Sequence, residues 1–315
     1  MKTVDLIVPC YNESGSLLLF FSHTSEVVAG IPGYDFRFIF VDDGSTDNTL
    51  ELIRGIAAEH DNVHYISFSR NFKKEAAMYA GLKASTGDLA AVIDADLQHP
   101  PELLADMLKA IEEGYDSCSA RRVSREGEPK IRSIWARMFY KIINRMSEVE
   151  IVDGAVDYRM MTRQMVQAIV SLPEVQRFSK GIFCWVGFNT KWIEFKNVER
   201  IAGESKWSFW SLVRYAIDGI TAFTTFPLRL ATIAGACISF AAFIYLIVII
   251  CTTLIFGKDT PGYASTIVLL LFIGGVIILS LGIIGEYLAR MYMETKRRPI
   301  FIARETNFEK EPKEK

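Results

Sequence analysis

The chain has 315 residues, is 50% hydrophobic and 23% charged, and carries a formal net charge of -2, a balance without the basic excess that nucleic-acid binding demands. Five scattered cysteines, Cys10, Cys118, Cys184, Cys237 and Cys251, form no C-x-x-C pair. They suggest neither a disulfide framework nor a zinc site, and are expected to be reduced and mostly buried.

The amino terminus runs directly into an apolar stretch at 4–8, too short for a signal peptide, so it reads as a buried first strand opening a domain that stays in the cytoplasm. Apolar runs at 4–8, 36–41, 63–68 and 89–93 alternate with helical patterns at 14–29, 46–59 and 74–84. Pro101 opens a fourth helix, and Gly87 and Gly114 act as stops. Repeated strand–helix–strand units of this kind predict an α/β domain around a mostly parallel, Rossmann-like sheet. Residues 115–197 are less regular, with a basic helical pattern at 131–146 and an aromatic, glycine-containing run at 178–188.

Trp207, Phe209, Trp210, Tyr215, Phe223 and Phe226 are spread among a few charges at 207–226. This reads as an amphipathic helix in a membrane interface, the alternative being a packed helix at a domain edge. Residues 230–257 and 260–285 contain no Asp, Glu, Lys or Arg, and each is long enough to span about 30 Å of hydrocarbon. The short connector Lys258-Asp259 makes them a hairpin, and Arg229, Arg290, Lys296, Arg297 and Arg298 place both ends in the cytoplasm. Ala231, Gly235 and Ser239 form a small-residue stripe suited to hairpin packing or to a homo-oligomer. The Lys- and Glu-rich tail from Glu305 is expected to be disordered. The chain thus divides into a domain at 1–206 (halves 1–114 and 115–206), an interfacial region at 207–228, two transmembrane helices within 229–290 (about 230–257 and 260–288) and a cytoplasmic tail at 291–315.

Ligands of a parallel α/β sheet bind beyond the carboxyl ends of its strands. Three predicted strands end there in acidic turns: Pro9-Cys10-Tyr11-Asn12-Glu13, Asp42-Asp43-Gly44-Ser45-Thr46-Asp47 and Asp94-Ala95-Asp96-Leu97-Gln98. Helix capping accounts for part of this, at Ser45 or Asp47. Three acidic turns on one edge call for a divalent counter-ion, and hard oxygen donors select Mg2+ or Mn2+, bridging protein and diphosphate. Neither G-x-x-x-x-G-K-[ST] nor G-x-G-x-x-G follows the first strand, which argues against an NTPase or a dinucleotide dehydrogenase.

The runs at 8–13, 41–47 and 94–102, with Arg70-Asn71-Phe72 and Lys74-Glu75-Ala76-Ala77, resemble the family 2 glycosyltransferases of GT-A fold. Asp153-Gly154-Ala155-Val156-Asp157-Tyr158-Arg159, Arg177-Phe178 and Arg200-x-x-Gly203-x-Ser205-Lys206-Trp207 resemble the dolichyl-phosphate mannose synthase group. The two apolar spans bring the chain closest to the bacterial polyprenyl-phosphate glucosyltransferases. Lys73 departs from the pattern, because the group more often has glycine before the lysine at 74.

The resemblance implies that Asp94, Asp96 and Gln98 hold the metal, that Pro9, Tyr11, Glu13, Asp42 and Asp43 surround the base and ribose, and that Lys74 approaches donor phosphate. His99 beside the acidic motif reads as a turn residue more than as a ligand. A lipid phosphate acceptor needs basic partners, for which Arg122, Arg200, Ser205 and Lys206 are candidates. Asp157 resembles the family's candidate base in an inverting displacement, or orients Arg159 or other basic groups. The implied reaction moves glucose from UDP-glucose, or mannose or another sugar, onto polyprenyl phosphate at the cytoplasmic face of the inner membrane. A processive polysaccharide synthase shares the first two-thirds of the pattern, but no Q-x-x-R-W motif is present. A catalytically silent nucleotide-binding membrane scaffold is the non-enzymatic alternative.

Overall fold

A computed structural model describes residues 1–122, 152, 154–172, 174–195, 221, 224–256 and 262–308. The chain divides into two units, one built from 1–219 and 298–315 and the other from 220–297.

The first unit is built on an eight-stranded sheet. In chain order its elements are β1 (Lys2–Cys10), α1 (Leu17–Ala29), β2 (Tyr34–Asp42), α2 (Thr49–Glu59), β3 (Val63–Phe68), α3 (Lys74–Ala84), β4 (Leu89–Val92), α4 (Leu103–Glu112), β5 (Ser117–Arg122), β6 (Ala155–Thr162), α5 (Arg163–Ser171), α6 (Ser179–Trp185) and β7 (Thr190–Phe195). After the second unit's helices the chain returns as β8 (Ala303–Thr306). The strand order is β7-β5-β6-β4-β1-β2-β3-β8. Strands β4, β1, β2 and β3 run parallel, so their carboxyl ends share one edge, whereas β6 is antiparallel to both β4 and β5. The first half reads as the sequence predicts, because its strands are buried on both faces and its helices cross over between them.

Two helices begin later than their periodicity suggests. Residues 11–16 and 43–48 bond to each other instead of entering α1 and α2. The Asn12 amide donates to Ser45 Oγ (3.0 Å), the Thr46 amide to Asn12 Oδ1 (2.8 Å) and the Ser14 amide to Asp47 Oδ2 (3.3 Å). Asp47 also accepts from the Thr49 amide (3.0 Å), in the turn that leads into α2. Glycine is required where α3 crosses β1, because a Cβ on Gly81 would lie 2.3 Å from Ile7 Cγ2. Asp5 is fully buried within β1, held by Arg37 (2.7 Å) and by the amides of Thr86 and Gly87.

The irregular second half contributes three strands to the same sheet, which its weak patterning does not announce. The tail expectation is corrected for 305–308: β8 pairs antiparallel with β3 and carries the chain on in ordered contacts instead of disorder. Arg54 and Glu305 form a two-pronged ion pair (2.8 and 2.6 Å), and Asn307 accepts from the Tyr65 amide (2.6 Å). These contacts explain why a polar segment orders there: it completes an edge strand whose backbone groups would otherwise lack partners. Cys10 and Cys118 are buried, Cys184 is half-buried, and Cys237 and Cys251 are exposed, so burial holds for fewer of the thiols than expected.

The second unit is a pair of long apolar helices, α7 (Phe226–Phe256) and α8 (Tyr263–Thr295). Both are long and apolar enough to cross a membrane, with segments of mean hydropathy 2.7 and 2.0. The Tyr287 hydroxyl ties α8 to the Thr224 carbonyl just before α7 (2.6 Å). A Cβ built on Gly235 meets nothing within 4 Å, so hairpin packing does not account for glycine there. The connector at 257–261 and residues 207–220, 222 and 223 of the interfacial region expected at 207–228 lie outside the described residues.

Candidate active site

Three loops leave the common edge of β1, β2 and β4, and each brings the acidic residues that the sequence singles out. Asp42 and Asp43 are buried at the end of β2. Asp42 accepts from the Ser45 amide (3.0 Å) and from Ser67 Oγ on β3 (2.8 Å), so both carboxylate oxygens are engaged. Asp43 accepts from the Phe72 amide at 2.5 Å, fastening the 69–73 loop to the end of β2. Burial pushes the Asp43 carboxyl up to about 6, against the amides of Phe72 and Lys73. Gly44 stands between these loops with φ 67, and a Cβ there would lie 2.5 Å from the Arg70 carbonyl carbon. No side chain fits that approach.

Pro9, Tyr11 and Glu13 are partly buried beside this cluster. The Glu13 amide donates to Thr49 Oγ1 (2.8 Å), and the Glu13 carboxylate accepts from Ser16 Oγ (2.9 Å). On the next loop the Gln98 amide donates to Asp96 Oδ1 (3.1 Å), folding the turn that carries Asp94, Asp96 and Gln98.

The join between the two halves of the domain runs through α3. The antiparallel register sets Arg159 of β6 against Val92 of β4. Carried two residues further, it brings Asp157 opposite Asp94. Lys74, the first residue of α3, fills the space between them and donates to Asp94 Oδ1 (2.7 Å) and Asp157 Oδ2 (2.8 Å). Burial opposes the Lys74 charge, but Asp157 and Asp94 outweigh it and hold the ammonium well above the usual lysine range. Burial likewise opposes ionised Asp157, yet Lys74 and then Lys180 keep its carboxyl well below the usual range. Asp157 is therefore held as a charged carboxylate against Lys74.

Arg159 does not pair with Asp157. It is buried with its guanidinium over the Phe183 ring (4.2 Å) and hydrogen-bonded to Ser119 Oγ (3.2 Å). Glu75 makes a second junction that the sequence reading missed: its carboxylate accepts from the amide (2.9 Å) and hydroxyl of Ser179 at the start of α6. The Lys-Glu pair at 74–75 was visible as a motif, but nothing in one dimension pairs it with positions 157 and 179.

His99 is buried against Tyr158 and Phe195, with Nδ1 3.7 Å from Asp94 Oδ2 and without a hydrogen-bond partner. The Arg122 amide donates to the Gly154 carbonyl at the end of β5 (2.9 Å). The other acceptor candidates, Arg200, Ser205 and Lys206, lie outside the described residues.

An acidic sheet edge in an α/β domain that precedes two apolar helices defines a class, and comparison with known proteins gives the family. Residues 5–170 match the model for glycosyl transferase family 2, and residues 226–291 match the GtrB C-terminal hairpin. The chain belongs to glycosyl transferase family 2. It is 46% identical over 304 residues to a putative glycosyltransferase, CsbB, of Bacillus subtilis, covering 96% of this chain and 92% of that one. It is 39% identical to a prophage bactoprenol glucosyl transferase homolog of Escherichia coli (95% and 97% covered) and 38% identical to the bactoprenol glucosyl transferase of Shigella phage SfX (95% and 98%).

Proposed function

We propose that the chain transfers a hexose, glucose from UDP-glucose, to polyprenyl phosphate with inversion, releasing UDP at the cytoplasmic face of the inner membrane. The observation that carries this reading is the Lys74 bridge, which sets the acidic turn of the donor half directly against Asp157 of the acceptor half. The names of the bactoprenol relatives and the apolar hairpin support the lipid acceptor.

In this reading Asp42, Asp43, Glu13, Tyr11 and Pro9 hold the base and ribose, and Lys74 meets the donor diphosphate. Arg122, Arg200, Ser205 and Lys206 hold the acceptor phosphate, whose oxygen is already anionic and needs little proton removal. Asp157 contributes by fixing Lys74, so rate enhancement comes mainly from positioning.

Among the described residues no three His, Cys, Asp or Glu side chains converge on one point. A hard cation that takes one or two carboxylates and completes its shell from a diphosphate needs no such cage. Asp94 and Asp96, with the amide oxygen of Gln98, supply a fitting donor set on one folded turn. Mg2+ or Mn2+ held there would neutralise charge on the departing diphosphate. The open Gly235 face of α7 suits self-association as a homo-oligomer.

The test is UDP release from UDP-glucose by purified full-length protein, with and without polyprenyl phosphate. Release is expected only with the lipid and a divalent ion, and Asp96→Asn is expected to abolish it. Near-normal release by that variant with metal present contradicts the metal assignment, and release indifferent to the lipid contradicts the acceptor.

A further inference from the structure

The segment after α8 does more than cover a sheet edge. Phe301 stacks on Phe68 of β3 (ring centroids 5.0 Å apart, planes 20° apart) and meets Tyr79 of α3 edge-on (6.4 Å). The Ser69 amide donates to the Ile302 carbonyl (3.0 Å), and Thr306 Oγ1 donates to the Tyr65 carbonyl (2.8 Å). The Asn307 side chain both accepts from the Tyr65 amide and donates to the Val63 carbonyl (3.0 Å). Phe308 stacks on His64 (4.8 Å), and Glu305 grips Arg54 of α2 with both oxygens.

From there the contacts run without a break to the donor loops. Phe68, on which Phe301 lies, meets Phe72 edge-on (5.7 Å), and the Phe72 amide is the donor to Asp43. Ser69, fixed by Ile302, precedes Arg70, whose backbone abuts Gly44. Ser67, paired with Glu305 in the ladder, donates its hydroxyl to buried Asp42. Thus the carboxylates proposed to hold the nucleotide take three of their constraints, at Ser67, Arg70 and Phe72, from a stretch whose outer side is the returning tail. Only Lys296 and Arg297 separate α8 from the unit that contains this strap.

We infer that residues 301–308 are a positioning element of the donor site: the carboxy-terminal strap holds β3 and the 69–73 loop in the arrangement that presents Asp42 and Asp43 to the nucleotide. This rests on the donor-site reading above. A strap that only protects an edge strand would support stability without favouring one substrate over the other. A strap that sets the donor loop acts on nucleotide affinity selectively, through packed contacts of the kind that shift coupling between sites.

The experiment measures UDP binding calorimetrically, and Michaelis constants for UDP-glucose and polyprenyl phosphate, on the full-length detergent-solubilised protein. Amide exchange of 69–73 is followed in parallel. Phe301→Ala is expected to weaken UDP binding and raise the donor KM by roughly threefold to tenfold. The acceptor KM should stay unchanged, and exchange at 69–73 should quicken. Arg54→Glu and Glu305→Arg, partly exposed positions away from the carboxylates, should each do the same more weakly, and the double reversal should restore binding. Unchanged UDP affinity and donor KM in Phe301→Ala, whatever its melting temperature, overturn the inference alone, as does failure of the double reversal to restore a loss seen in both single variants. No UDP binding by the unsubstituted chain overturns the donor-site reading and this inference with it.

Discussion

At Lys73 the backbone takes φ 76 and ψ 162, a region that side chains enter only with strain and that glycine adopts freely. Lys73, where the resemblance leads to an expectation of glycine, thus adopts glycine-like backbone geometry. Lys73→Gly is expected to raise stability by about 1 kcal/mol, the relieved strain outweighing the entropy that glycine adds to the unfolded chain. A lower denaturation midpoint in detergent would contradict this. Glu75 supplies a pH-dependent counterpart. Burial and then the Asp157 charge raise its carboxyl from 4.5 to about 7, against the bonds from Ser179. The folded protein keeps this proton where the unfolded chain has lost it, so its contribution to stability declines as pH rises from 4.5 to 7 and is level above. Glu75→Gln should flatten that part of the melting-temperature profile; an unaltered slope would show that Glu75 is not its source. The acidic turns were legible because several carboxylates at strand ends have few structural explanations. The links at Ser67, Glu75 and Ser179 were not, since each depends on a partner that only the folded chain brings near.

Among the elements, α3 has the most to reconcile. Its first turn joins the two halves of the domain through Lys74 and Glu75, and its middle lies directly on β1 at Gly81. Gly81→Ala is expected to destabilise the protein by about 1–3 kcal/mol, because the added methyl meets Ile7 in a close-packed core. Ile7→Ala in the same chain should recover part of that loss, giving a double-variant cost below the sum of the singles. Strictly additive unfolding free energies would rule out the contact as the cause. The parallel core strands were legible from their length and apolar runs. Strands β5 and β7 were not, because they interleave polar residues such as Ser117, Ser119, Lys191 and Glu194. Strand β8 was hidden for a related reason: a charge-rich edge strand has the composition of a disordered tail and is ordered by its partners on β3 and α2.

For the whole molecule, the hairpin was the most legible feature, since two long uncharged stretches have few fates other than lipid. Its helices run further than the uncharged stretches do, α8 continuing to Thr295 through Glu286, Arg290 and Glu294. Such a chain is suited to an acceptor that is itself held in the bilayer, which is the central claim. The most direct test is transfer from a panel of radiolabelled UDP- and GDP-sugars to undecaprenyl phosphate in detergent, with and without Mg2+ or Mn2+, followed by organic extraction. Label from UDP-glucose is expected to enter the organic phase, only with the lipid and only with a divalent ion. Label that stays in water for every donor, with folded protein, would contradict it.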